Sequence, residues 1–352
     1  MKIEDQATSL THYRFVGDGH FAELLHAVNK RDLKQIWELN DDEELFGRTH
    51  QGDIQALIDQ VCTLPSWINQ DILQQSAIFF QKNMLDLSAM LGLASLPYCY
   101  AGADGAQVLV KTGRIVERTQ TRLLETGKFV FDVSDINAFS GTGSGFLSCL
   151  KVRIVHQFVR DQMLQNGWDT KTMGYPVNQL DQALTNLSFS LIAIRAIRQT
   201  GKTVSDDDAQ SYLQRWNAIA VLLGLDEALI KNTMRTASHL ARSIEKIQFR
   251  PSEAGSQLTA ALVKSLIQFG ELTGYSKRML SPYMAYLLGD KVADCIGLED
   301  KGASNLFEFS ALLKQLKSVF RWIPVADLGP VGDRPEDPEF EKLLVDIPML
   351  IR

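Results

Sequence analysis

Apolar residues recur at helical spacing along most of the chain, and the most strongly apolar of these stretches runs from Ser144 to Met163. Its apolar side chains fall on every side of the predicted helix. A helix that is apolar all round is usually buried. The pattern therefore predicts a central helix around which the rest of the chain packs.

Three basic side chains interrupt this apolar helix. Arg153, His156 and Arg160 stand three and four residues apart, so they share one face. Because buried charges need partners, a neutral imidazole between two guanidinium groups suits an anionic cofactor: the histidine would bind a metal and each arginine a carboxylate. The residues alone leave a second interpretation open, in which His156 is a core histidine bonded to a carbonyl and both arginines pair with acidic residues of other helices.

Two segments depart from the helical pattern. Lys128 to Val133 (KFVFDV) is the best strand candidate, and Asn40 to Glu44 (NDDEE) is expected to be a solvated connection. A glycine-rich loop over 134–145 leads into the central helix. Glycines at a helix N-terminus can cradle phosphate, but no Lys-Ser/Thr pair follows Gly145, so a capping loop is favoured.

The remaining segments show no interdomain linker, no repeat and no alternation of strands with helices. The sequence therefore predicts an all-α fold, a single helical bundle domain over 1–352 with about ten or more helices. Five prolines follow Trp322, at 324, 330, 335, 338 and 348. We expect 323–352 to be an extended tail lying over the body.

Composition narrows the possible functions. A net charge of −6 without a concentrated basic patch argues against a nucleic-acid partner. Met1 to Leu10 lacks the apolar core of a signal peptide, and no eighteen apolar residues run together, so we expect a cytoplasmic protein without a transmembrane segment. The four cysteines form no paired motif and are expected to be buried thiols.

Four segments resemble the rubber-oxygenase family, also called MpaB-type or latex-clearing-protein-like, in the order in which the family has them. They lie within 64–190 and read LPSWIN (Leu64 to Asn69), TRLLETGKFVFDV (Thr121 to Val133), KVRIVHQFVR (Lys151 to Arg160) and GYPVNQLDQALTNLSFS (Gly174 to Ser190). The resemblance implies an all-helical catalytic domain that carries haem b.

The resemblance also implies roles for individual residues. The family's haem-binding histidine corresponds to His156, and Arg160 to an arginine near the cofactor. The family's Arg-x-x-Lys-Thr segment corresponds to Arg122 through Thr126, but Glu125 stands where some members have a lysine that closes the distal side of the iron.

Two further positions follow from the same comparison. The family's catalytic glutamate would fall near Ala106, where the nearest acid is Asp104. Thr185 corresponds to a distal-pocket position, although a threonine inside a helix also commonly bonds back to a carbonyl one turn earlier.

The leading hypothesis is a haem b oxygenase that acts with dioxygen on an apolar, isoprenoid-like or unsaturated lipid substrate. In it His156 binds iron, Arg153 and Arg160 hold propionates or order the groups around the histidine, and Arg122 with Thr126 polarises oxygen. Glu125 is a possible proton shuttle, and Thr185 adds to the distal pocket. Two alternatives stay open: a helical protein that binds haem or a hydrophobic ligand without turnover, and a wholly structural helical protein.

Overall fold

The computed structural model describes residues 10–112, 119–298, 310 and 312–317. Within these ranges the chain is almost entirely helical, and the only extended pairing is an isolated antiparallel bridge between Gly102 and Phe249. The all-α prediction is therefore confirmed. The predicted tail, 323–352, lies outside the described residues. The helices are α1 (Gly19–Ala27), α2 (Lys30–Trp37), α3 (Asp42–Gly47), α4 (Asp53–Val61), α5 (Gln70–Met90), α6 (Leu96–Tyr100), α7 (Ala103–Lys111), α8 (Thr119–Ser134), α9 (Gly145–Gln165), α10 (Thr170–Met173), α11 (Gln179–Leu187), α12 (Ala193–Gln199), α13 (Asp206–Leu222), α14 (Met234–Gln248), α15 (Glu253–Phe269), α16 (Gly274–Leu288) and α17 (Asp290–Cys295).

Two pairs of these helices are continuous through a π-helical turn. Leu91–Ser95 joins α5 to α6, and Ser188–Ile192 joins α11 to α12. Both turns are buried, and the Ser95 hydroxyl donates to the carbonyl of Ser188 at 2.6 Å. The hydrogen bond connects the two widened turns in the core. No helix in the described ranges is both long and apolar enough to cross a bilayer.

The central helix is α9, close to the predicted bounds, and its N-terminus is held by a carboxylate. Asp42 is fully buried and accepts hydrogen bonds from the backbone N–H groups of Phe146 (3.2 Å) and Leu147 (2.8 Å). The first-turn donors that could have bound a phosphate are therefore used within the protein. The expectation of a solvated connection over Asn40 to Glu44 is wrong, because Asp42 begins α3 and its side chain caps α9.

The strand prediction for Lys128 to Val133 is also wrong, because the segment lies inside α8. Val130 and Val133 are buried in the core, and Phe131 packs edge-on against Phe80, 5.6 Å between ring centroids. Lys128 forms an ion pair with Asp132 one helical turn on. A helix buried on several sides contains consecutive apolar residues, and over six residues this pattern is indistinguishable from a buried strand.

Candidate functional site

A cavity of about 660 Å³ lies beside the central helix. Its walls come from α6, α7, α8, α9, α11 and α13, and most of the lining side chains are apolar. The volume is within the range of roughly 300–1,000 Å³ typical of pockets for small molecules and cofactors. The cavity is therefore of a size that can hold a small molecule or a cofactor.

His156 reaches this cavity from α9. Its neighbours Val152, Val155 and Val159 line the same wall, and all four residues are only partly buried because the cavity exposes them. The Nδ1 atom of His156 is buried and has no hydrogen-bond partner among the described residues. A core histidine satisfied by a carbonyl at that nitrogen is thus not what the structure shows.

The surroundings of His156 keep its ring uncharged. Burial first, and then the positive charges of Arg160, Arg122 and Arg153 in that order, lower the pKa of the imidazole, together to about 3. Metal ions bind the neutral form of histidine. At neutral pH the ring is therefore in the state that a metal ligand requires.

Arg153 does not line the cavity. Its Nε and Nη2 atoms donate to the two carboxylate oxygens of Asp18 at 2.7 and 3.0 Å, and Nη1 donates to the carbonyl of Leu222 at 3.1 Å. The guanidinium also stacks over the ring of Phe21, 4.5 Å from its centroid. These contacts are those of the alternative interpretation, an arginine paired with an acid of another segment.

Arg160 is fully buried and also lies outside the cavity lining. Its Nε and Nη2 atoms donate to the carbonyl of Val177 at 3.1 and 2.9 Å, and Nη1 donates to the side-chain oxygen of Gln157 at 3.1 Å. Its partners are neutral, so its positive charge acts on His156 one turn away. Burial accordingly lowers the pKa of Arg160 as well.

The structure brings Arg122, Glu125 and Thr126 together on one cavity wall, formed by α8. Arg122 Nη1 donates to Glu125 Oε2 at 2.7 Å, and both side chains are more than a third exposed. Arg122 Nε is buried without a partner among the described residues. Arg122 is the one arginine or lysine side chain in the cavity lining of the described ranges.

Thr126 and Thr185 line the cavity with hydroxyls that bond within their own helices. Thr126 Oγ1 donates to the carbonyl of Arg122 at 2.8 Å, and Thr185 Oγ1 donates to that of Asp181 at 2.9 Å. Each hydroxyl keeps acceptor capacity toward the cavity. In the structure each hydroxyl proton is engaged in the hydrogen bond within its own helix.

Asp104, the acid nearest to the position expected from the family, does not line the cavity. It is 3% exposed and pairs with Arg14 at 2.9 Å and with Arg250. Besides Glu125, the acid that lines the cavity within the described residues is Asp181, on α11. No periodic pattern distinguishes Asp181 in the sequence, because an acid at the start of a helix is an ordinary first-turn residue.

The residues at the cavity fit a haem group. A neutral imidazole with an unpartnered nitrogen borders an apolar space of several hundred cubic ångströms, and a cationic side chain, Arg122, stands on the same lining. Groups of three or more His, Cys, Asp or Glu side chains arranged to hold a bare metal ion are not found among the described residues. His156 is therefore the residue that would hold the iron of a haem in this cavity.

Comparison with known proteins gives consistent matches. A rubber oxygenase from Streptomyces sp. (strain K30) is 26% identical over 271 residues, which are 76% of this chain and 65% of that protein. The match thus spans a little under two thirds of the relative. The solved structure of latex clearing protein LCP in the closed state has a TM-score of 0.69 at 22% identity, covering 96% of this chain and 91% of that one, and shows the same fold.

A family model described as "ER-bound oxygenase mpaB/B'/Rubber oxygenase, catalytic domain" matches residues 82–318. These residues include α9 and the five other helices that form the cavity walls. They make up more than half of the 352-residue chain. The chain therefore belongs to the mpaB/B' and rubber oxygenase catalytic-domain family.

Proposed function

We propose that this protein is a haem b-dependent oxygenase that acts with dioxygen on an apolar substrate, an isoprenoid or an unsaturated lipid. Family membership supports the reaction class. The observation that carries the cofactor assignment is His156, a neutral imidazole bordering an apolar cavity with one ring nitrogen unpartnered. A mostly apolar lining favours a substrate with little polar surface.

In this proposal His156 ligates the iron. Bound haem would supply the redox centre at which dioxygen reacts. Arg153 and Arg160 act indirectly, since their bonds to Asp18 and Val177 fix the two turns of α9 around His156 while their charges oppose protonation of the ring. Arg153 and Arg160 thus position the helix around His156 without contacting the cofactor.

The other cavity residues position ligands and exclude water. Arg122 offers a partly buried guanidinium to a carboxylate or to an oxygen atom, and Glu125 holds it in place through the 2.7 Å ion pair. Glu125 cannot ligate iron as a lysine would, so we assign it to positioning Arg122 and to proton exchange with solvent, for which its partial exposure suits it. Thr126 and Thr185 add hydroxyl oxygens to the lining.

The test is an absorption spectrum of the full chain expressed with a haem supply. We expect a Soret band in the wild type and its loss or displacement in His156→Ala. His20→Ala, at a histidine whose side chain is 72% exposed, is the matched control and should retain the band. If the wild type and His156→Ala are equally colourless, the cofactor assignment is wrong.

A second measurement separates an oxygenase from a binding protein without turnover. Val159→Trp places a large side chain at the cavity wall and should reduce haem loading while the far-ultraviolet circular dichroism stays helical. Oxygen consumption by the loaded wild type with polyisoprene or an unsaturated lipid supports the oxygenase. A Soret band without any oxygen consumption on these substrates contradicts it.

A further inference from the structure

We propose that Asp181 is an acid–base residue of the cavity, which exchanges a proton with an oxygen atom of the bound substrate or product. This deepens the proposed function by adding a residue to its site. The proton exchange of Asp181 itself is a property of the protein alone and can be measured without cofactor.

The first observation is the position of the carboxyl group. Asp181 lies in the first turn of α11 and borders the cavity. Asn178 Nδ2 donates to Oδ2 at 2.8 Å, and Gln248 Nε2 donates to Oδ1 at 2.8 Å. Both donors are almost fully buried amides, so the carboxyl is fixed in orientation by neutral groups.

The second observation is the contrast with Asp104. Asp104 contacts two arginines, Arg14 and Arg250, whereas the hydrogen bonds to Asp181 come from amides. Two neighbouring carboxyls thus have opposite environments, one neutralised by cations and one facing a ligand cavity. Where the environments of two neighbouring carboxyls differ in this way, one commonly has a structural role and the other an acid–base role.

The backbone of α7 packs closely against the Asp181 carboxyl. A Cβ atom built on Gly105 would stand 3.1 Å from Asp181 Oδ1, which is tighter than most Cβ contacts, so the α7 backbone lies close against the carboxyl. The open direction for Asp181 is the cavity.

Charge and burial act together on this group. Burial raises the pKa of Asp181, the hydrogen bonds of Gln248 and Asn178 and the charge of Arg14 oppose it, and the charge of Asp104 adds to it; together they bring the pKa to about 7. From α6 the neighbouring thiol is Cys99, whose pKa burial raises to about 11, so it stays uncharged. An acid that is half protonated near neutral pH is suited to both giving and taking a proton.

Gln248 can accommodate either protonation state of Asp181. Its Oε1 atom is buried and has no partner among the described residues, while its Nε2 atom donates to Asp181. Rotation of the amide by half a turn would bring Oε1 to the carboxyl, where it accepts a hydrogen bond from the protonated form. One side chain can thus serve the acid and its conjugate base.

The proton exchange balances without a further reactant. The Asp181 O–H bond breaks as its proton passes to a basic oxygen of the ligand, and the electron pair stays on the carboxylate, which Gln248 and Asn178 stabilise. The proton returns to Asp181 when that oxygen loses its basicity while the ligand is still bound, so the residue is unchanged over one cycle.

The test is pH-difference infrared spectroscopy of the full chain without ligand, following the carbonyl band of protonated carboxyl groups. We expect a component that titrates near pH 7 in the wild type and is absent in Asp181→Asn. Gln248→Met removes a donor to the carboxylate and should move that midpoint upward. Asp42→Asn is the matched control, because burial raises the pKa of Asp42 to about 6 outside the cavity, and it should retain the component near pH 7.

The catalytic role of Asp181 is tested on the haem-loaded protein. The pH profile of oxygen consumption should lose an ionisation near pH 7 in Asp181→Asn and keep it in Asp42→Asn. Identical infrared titrations of the wild type and Asp181→Asn, or an unchanged pH profile in Asp181→Asn, would overturn the inference. A failure of haem binding leaves the infrared result intact, so the two proposals fail separately.

Discussion

Arg160 lies one helical turn beyond His156 on α9, and its buried guanidinium, next after burial itself, keeps the pKa of the imidazole near 3. The two residues therefore act as a unit: Arg160 is held by the carbonyl of Val177, and its charge excludes a proton from the neighbouring ring. The imidazole that lines the cavity is thus kept neutral in part by a cation that does not itself line the cavity.

A pH dependence of stability follows from this pair. An unfolded histidine titrates near pH 6.5, whereas His156 stays neutral to about pH 3 when folded. Between these values the unfolded state binds the extra proton, so the stability that the neutral ring contributes is present above pH 6.5 and is lost as the pH falls. We expect His156→Gln to remove this dependence, worth at most about 1.4 kcal/mol per pH unit.

Urea unfolding of the cofactor-free protein at pH 7.0, 5.5 and 4.5 measures this pH dependence of the free energy of unfolding. The stability difference between wild type and His156→Gln should shift in favour of the variant as the pH falls. A difference that is independent of pH would contradict the assignment of a neutral buried ring.

The ion pair between Arg153 and Asp18 predicts a second effect. Both side chains are buried, so Asp18→Asn leaves a buried guanidinium without its counter-charge, which costs roughly 3–5 kcal/mol. Arg198→Met is the matched control: its ion pair with Asp206 is exposed and its loss should cost less than about 1 kcal/mol. Equal losses in the free energy of unfolding would show that Asp18 does not anchor α9.

Two glycines near α9 and α8 should respond in opposite directions to alanine. A Cβ atom at Gly145 would lie 2.3 Å from the backbone oxygen of Ala138, so Gly145→Ala forces the capping loop apart and should destabilise by at least about 1–3 kcal/mol. Gly127 lies inside α8 with open space around its Cβ position, and Gly127→Ala should stabilise by about 0.5–1 kcal/mol. Thermal unfolding of both variants checks the signs.

Cys99 provides a chemical probe of the cavity. It lines the space, and burial raises the pKa of its thiol to about 11, so only about one thiol in a thousand is ionised at pH 8. Alkylation by iodoacetamide, followed on the Cys99 peptide by mass spectrometry, should be slow at pH 8 and accelerate with rising pH. An apolar ligand in the cavity should slow it further, and rapid labelling at pH 8 would contradict the buried position.

Much of the helical architecture could be predicted because helix formation depends on local patterns. The apolar spacing over Ser144 to Met163 predicts α9. Asn69 and Asn178 belong to a residue type that commonly caps helices, and their side chains accept from the backbone N–H groups of Ile72 and Asp181. These signals involve residues within four positions of each other. The strand expected over Lys128 to Val133 failed because six apolar-rich residues carry no information on which neighbours will bury them.

The residue pattern alone is enough to establish that the chain is helical, that α9 is apolar all round and that its histidine stands between two arginines. The packing of distant segments establishes that Arg153 pairs with Asp18, 135 residues away, that Asp104 pairs with Arg14 and Arg250, and that Asp181 lines the cavity. The physical reason is that helical hydrogen bonds close over four residues, whereas the partner of a buried charge is set by whichever distant segment the packing brings beside it.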